Sequence, residues 1–407
     1  MIEGDGAGEG GVPGVAGATE VDGVDVNLAD RNGHAPLHRA AWKGHADEVA
    51  ALLRAPGIDV NRADGHGRTP LHWTAWKGHA EAMRLLLSAP GIDVNAEDKH
   101  GWTPLRRASL EGRADVVKVL LLEGREVDVN LADREGNTPL HWACLDGHLE
   151  VIELLLGAPG IDPNRADAEG LTPLICASER GHTEGVRVLL GAPGVDANVA
   201  SKEGRTALHA ASCHGHVDVV RLLLAVAGIE VDRVDGDGAT PLHRAASSGH
   251  PEAVELLLGA PGVDVNRQDM YGTTPLWAAT WGGHLEAMQL LMAAPGVDVN
   301  VAGKDGTTPL YWACHEGHAE AVALLLGAPG VDARRGADVH GRTPLHRASH
   351  DGHAEVVRLL LAASVPGPSA LVLSKDALGR SALDLALARG HKHVAALLQG
   401  EVPVTQS

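Results

Sequence analysis

The chain has 407 residues, enough for two or three globular domains or one long repeat array. Apolar residues make up 44% and charged residues 21%, which excludes a disordered polar chain, and no run of about 18 apolar residues exists to span a bilayer. A net charge of -19 argues against a general nucleic-acid binder, and four Cys are too few for a disulfide framework.

The start of the chain, Met1-Ile2-Glu3-Gly4-Asp5, lacks a basic n-region and an apolar h-region. Cytosol is therefore the expected compartment, with the nucleus as the alternative. Residues 1–20 hold seven Gly and are expected to be disordered. Residues 21–29, with Val21 to Asn27, read as the tail of a repeat whose helices are missing.

From Asp30 onward a pattern repeats. The string Thr69-Pro70-Leu71-His72 recurs with its Pro slot at Pro36, Pro70, Pro104, Pro139, Pro173, Ala207, Pro241, Pro275, Pro309, Pro344 and Ala382. Successive slots are 34 or 35 residues apart, except the last, at 38. A fixed period of this size means a solenoid whose units pack mainly on their neighbours. We number the repeats one to eleven by this slot.

Repeat two shows how one unit folds. Asp64-Gly65-His66-Gly67 is a turn cluster. Thr69 suits an N-cap and Pro70 the first helical position, where a missing N–H costs nothing. A short helix carries Leu71, Ala75 and Trp76, and Gly78 closes it as a left-handed C-cap. The spacing of Met83, Leu86 and Leu87 predicts a second helix over Ala80 to Ser88. Ala89-Pro90-Gly91 stops it, and Ile92-Asp93-Val94-Asn95 runs extended into the next turn. With Phe absent and only two Tyr, the core between such hairpins must be aliphatic.

This pattern (Asp-x-x-Gly-x-Thr-Pro-Leu-His-x-Ala-x-x-x-Gly-His, then Leu-Leu, then Asp-Val-Asn) resembles the ankyrin repeat from about Asp30 to Leu398. The resemblance implies an all-α solenoid of about eleven stacked helix-turn-helix units with extended loop tips. Ten repeats occupy 30–361, a longer loop with Pro366 and Pro368 spans 362–375 as an expected flexible joint, a capping repeat covers 376–398 and a tail 399–407. Most units depart from the family by inserting Ala-Pro-Gly after the second helix, which lengthens a loop and leaves the helical faces intact.

The 24 His invite a metal or acid–base reading, but the period explains sixteen of them. His38, His72, His141, His209, His243 and His346 fill the Thr-Pro-Leu-His slot, and ten more follow a Gly at the end of the first helix. The resemblance implies that the first kind is buried and bonds to neighbouring loops. His214-x-His216 and His391-x-His393 lack the further ligands of a zinc site. Cys144, Cys176 and Cys314 read as buried thiols, leaving Cys213 as the one most open to reaction. No phosphate loop, nucleophile elbow or His-Glu-x-x-His motif occurs. The reading is thus a non-catalytic chain with no cofactor and no metal.

In the family, partners meet the loop tips and the concave face of the first helices. The variable slots there hold Trp42, Lys43, His66, Trp76, Lys77, Lys99, His100 and Trp102 in repeats one to three. Arg106 and Arg107 break the usual His pattern beside them. Trp and Arg dominate interface hot spots, so three aligned Trp among bases predict a partner surface. The structural alternative is that these Trp lean on their neighbours and seal the stack. Residues 30–129 hold 14 acids and 14 bases, whereas the rest of the chain is acidic, so an acidic or phosphorylated peptide suits this face. A second cluster comprises Met270, Tyr271, Trp281 and His315, with Trp277 and Tyr311 in place of the structural His. By resemblance, Asn61, Asn95, Asn130, Asn266 and Asn300 in the Asp-Val-Asn segments are expected sites of asparaginyl hydroxylation. The expected function is a monomeric protein-interaction scaffold without nucleic-acid or membrane partners. The alternative is an elastic spacer without a specific face.

Overall fold

The structure, a computed structural model, describes residues 25–363 and 369–401. The expected disordered tail, most of the 21–29 segment's first half and the last residues of the chain lie outside them, as do Pro366 and Pro368. Among the described residues there are helices and turns and no strand. Helices come in antiparallel pairs, from Pro36–Lys43 with Ala46–Leu53 to Ala382–Arg389 with Lys392–Glu401. First helices pack on first helices of the adjacent repeats, and second helices on second helices. The result is a two-layer, all-α repeat solenoid.

Sequence chemistry sets each boundary. Pro or Ala opens every first helix, and in repeat four Thr138 caps it. Gly147 closes that helix in the left-handed region at φ 73°, where only Gly is at ease. It has a second reason to be Gly. A Cβ there would come within 2.6 Å of His182 Nδ1 in the next repeat. The ring lies flat over the helix end and its Nε2 bonds the Leu145 carbonyl at 3.1 Å. Ala or Thr at the fourth position after the Pro slot is fully buried, as at Ala143 and Thr74, which lets adjacent first helices approach closely.

Three columns of hydrogen bonds run across the repeats. The first is the buried His. His72 Nδ1 accepts the Thr69 N–H at 3.1 Å, so its Nε2–H donates to the Trp102 carbonyl at 2.7 Å, one repeat on. The family resemblance implied this arrangement for all six His of the slot. It recurs through His38, His141, His209, His243 and His346. The second column links loop tips, as where the Lys99 N–H donates to the His66 carbonyl at 3.0 Å. The third was not anticipated. Asn61 Nδ2 donates to the Gly91 carbonyl at 2.7 Å, while its Oδ1 accepts the Asp93 N–H at 2.8 Å. The inserted Ala-Pro-Gly is therefore more than a loop extension. Its Gly presents the carbonyl that the preceding repeat's amide reads.

Two boundaries differ from expectation. The longer loop contains a short helix, Ser369–Val372, that buries Leu371 and Val372. The final helix continues to Glu401 rather than ending at 398.

Candidate interaction surfaces

The expected surface in repeats one to three is built from rings and cations on successive repeats: Trp42 and Trp76 stand 34 residues apart, and Trp102 follows from the next loop. Trp42 is 40% exposed at the end of its helix, and Lys43 beside it is exposed. Lys77 Nζ lies 5.9 Å from the Trp42 ring centre and 4.8 Å from that of Trp76. Arg107 bridges onward, 4.8 Å from Trp76 and 4.3 Å from Trp102. Shared cations thus link Trp42, Trp76 and Trp102, and each such contact contributes roughly 0.5–2 kcal/mol. Trp76 and Trp102 are half-buried, so the row is less open than an unsupported aromatic stripe. Trp76 also stacks on Trp73 at 5.2 Å. Trp73 is buried, its Nε1–H donating to Asp64 Oδ2 at 3.2 Å.

Arg106 requires a correction. Expected to face a partner, it is 1% exposed. Its guanidinium lies between Trp102 and Trp142, 3.5 and 4.2 Å from their ring centres, and Nε is 3.4 Å from Asp133 Oδ2. Burial pulls its pKa down to about 10, against the pull of Asp133. The cause is its position: Arg106 fills the buried His slot and reaches the next repeat's loop Asp from there. Arg107, one residue on, emerges between Trp76 and Trp102 instead. Of the remaining expected residues, His66 and His100 are exposed, and His100 packs 5.4 Å from Trp102. Lys99 is exposed but spends its ammonium on the Gly65 carbonyl at 2.6 Å.

The second cluster is arranged differently. Met270 and Tyr271 sit exposed at one loop tip, and Trp281 is 54% exposed at the end of its helix. Trp277 and Trp312 meet edge to face at 5.4 Å. Tyr311 is buried, its hydroxyl donating to Asp338 Oδ2 at 2.8 Å. His315 does not stand with Tyr271. It lies 5.0 Å from Trp312 and is held by Asp351 at 3.0 Å and Arg347 at 2.9 Å.

Among the described residues no group of three or more His, Cys, Asp and Glu could hold a metal ion, and no helix is long and apolar enough to cross a membrane. Burial pushes the Cys176 thiol up to about 12 and raises Cys144 and Cys314 as well. Cys213 is half-buried, its Sγ 3.7 Å from Ser248 Oγ. Asn61, Asn95, Asn130, Asn266 and Asn300 all stand in the amide column with both side-chain polar atoms engaged.

A search of the curated proteins finds no match. A family model described as "Ankyrin repeats (3 copies)" matches residues 19–98, 56–133, 95–167, 121–201, 175–269, 228–303, 262–337 and 329–406. Those overlapping matches cover most of the chain and coincide with the stacked hairpins and their His column. The chain belongs to the ankyrin-repeat family.

Proposed function

We propose that this protein is a non-catalytic scaffold that holds another protein or a peptide on the loop tips and first helices of repeats one to three. Ankyrin repeats are generally protein-interaction modules, and a shared fold carries no particular target with it. The observation that supports this face is the cation–aromatic row of Trp42, Lys77, Trp76, Arg107 and Trp102. Its rings offer large apolar area with little rotamer entropy to lose, and Lys43, Lys77 and Arg107 offer positive charge. An acidic or phosphorylated segment is the partner chemistry that fits. Lys99, His66 and His100 would flank it, and a cytosolic or nuclear setting suits such a partner.

The test is a native-lysate capture with the wild type and a Trp42→Ala/Lys43→Ala variant. Both residues are exposed, so the thermal midpoint should fall by no more than the loss of the Lys77–Trp42 contact implies, roughly 0.5–1 kcal/mol at an exposed site. Partners should disappear with the variant, and the loss in affinity should be at least about tenfold. Partners that survive it would move binding off this face. A chain with no reproducible partner at all would favour the spacer.

A further inference from the structure

Aromatic rings in the first four repeats are covered by the chain's own cations, whereas those in repeats eight and nine are not. Among the described residues, every cation–ring contact falls on Trp42, Trp73, Trp76, Trp102 or Trp142. Tyr271, Trp277, Trp281, Tyr311 and Trp312 carry none. Their rings nevertheless border two clefts, one between repeats seven and eight and the other between repeats nine and ten. One, about 170 Å³, lies among Tyr271, Trp277 and Trp281. The other, about 200 Å³, lies among Tyr311, Trp312 and Val339.

Carboxylates line both clefts: Asp269 the first, Asp305 and Asp338 the second. None of these three makes a salt bridge among the described residues, although Asp64, Asp133, Asp235 and Asp376 elsewhere in the same loops each hold an Arg. The two Arg that line the clefts are already neutralised. Arg244 bonds Asp235 at 2.7 Å and Asp237 at 2.6 Å, and Arg347 meets Asp351 at 2.8 Å. The surrounding stretch, residues 235–340, has 13 acids and 5 bases, net -8, where residues 30–129 are neutral. Rings without a Lys or Arg of their own and carboxylates without a salt bridge both attract a cation, and together they do so more than either alone.

We propose that the face spanning repeats seven to ten binds a basic, extended peptide segment of another protein, with an Arg or Lys side chain entering each cleft. Neighbouring repeats stand about one helix diameter apart, roughly 10 Å. The two clefts are two such steps apart, and an extended peptide advances roughly 3.3 Å per residue, so the two cations sit about six residues apart. The chain itself does not supply them. Residues 1–24 hold five acids and no base, and residues 364–368 and 402–407 hold no charge. The site is separate from the row in repeats one to three, and its partner carries the opposite charge.

The experiment titrates the full chain with the peptide acetyl-Gly-Arg-Gly-Gly-Gly-Gly-Gly-Arg-Gly-amide, followed by calorimetry at low salt. A peptide with Gln in place of both Arg should bind at least about tenfold more weakly, and added salt should weaken the Arg peptide. Trp281→Ala and Tyr271→Ala remove exposed rings and should each cost about tenfold with an unchanged circular dichroism spectrum. Asp305→Asn should weaken binding without touching a ring. Trp76→Ala should leave this binding intact, which separates its failure from that of the surface proposed above. Equal affinity for the Arg and Gln peptides, no measurable binding of either, or indifference to both ring removals would overturn the proposal.

Discussion

Asp232 occupies a rung of the amide column that is Asn in eight other repeats, from Asn27 to Asn300. Its Oδ2 still accepts the Asp264 N–H at 2.6 Å, but Oδ1 is buried without a partner. By register that oxygen faces the Gly262 carbonyl, where Asn198 Nδ2 in the preceding repeat donates to Gly228 at 2.9 Å. Burial raises the Asp232 pKa, because the carboxylate has lost water without gaining a donor. A raised folded pKa means that this rung is firmest at low pH and weakens as pH rises through it. Asp232→Asn restores the missing donor and should stabilise the array by about 1 kcal/mol at neutral pH. A urea midpoint that fails to rise would show that the column contributes nothing there. Sequence reading singled out the Asn as modification sites and missed their structural role. The signal was present, since every such Asn except Asn95 stands thirty residues before a Gly of the loop after the second helix, and Arg106 in a His slot likewise pointed to burial.

Within a repeat, the His slot makes acid sensitivity local. Burial holds His72 and His209 at a pKa of about 4, against the opposing hydrogen bonds to Trp102 and Ala239. The unfolded chain protonates His near 6.5. Between these values the unfolded state binds more protons, so stability is lost as pH falls from about 6.5 toward 4. At ~1.4 kcal/mol per pKa unit, a single such His removes roughly 3 kcal/mol by pH 4. Repeats three, five, eight and nine carry Arg106, Ile175, Trp277 and Tyr311 in that slot and lack this liability. Hydrogen exchange resolved by segment should show protection falling first in repeats two and six between pH 6.5 and 4.5, while repeats eight and nine hold. Uniform loss along the chain would mean that the His column does not set acid stability. The elements themselves were legible because Pro, Gly and the Leu spacing are local signals. The second helix of repeat two ends at Leu87, one residue short of its expected end at Ser88. The helix Ser369–Val372 was not legible, since it forms where the last repeat offers a surface for Leu371 and Val372. The cation–ring contacts that join repeats, Lys77 to Trp42, Arg107 to Trp76 and Arg106 to Trp142, were hidden for a similar reason: their partners lie about a period apart, and stacking decides which cation reaches which ring.

At the scale of the molecule, stability is approximately a sum of repeat and nearest-neighbour terms, and the Trp distribution offers a way to read it. Five Trp lie in repeats one to four and three in repeats eight and nine, with none in five to seven. Tryptophan emission therefore reports the two ends, while far-UV circular dichroism reports all helices. Leu223 is fully buried in the second helix of repeat six, Val217–Leu224. Leu223→Ala leaves a cavity and should cost about 2–5 kcal/mol, all of it in the Trp-free middle. The contacts that would spread this loss run only to adjacent repeats, so the end blocks keep their own cores. In urea, the variant should lose ellipticity before its emission shifts, whereas the two curves should nearly coincide for the wild type. Coincident curves in the variant would show that the interfaces bind eleven repeats into one cooperative unit. Early ellipticity loss would show instead that the repeats carrying the two proposed surfaces fold as separate blocks.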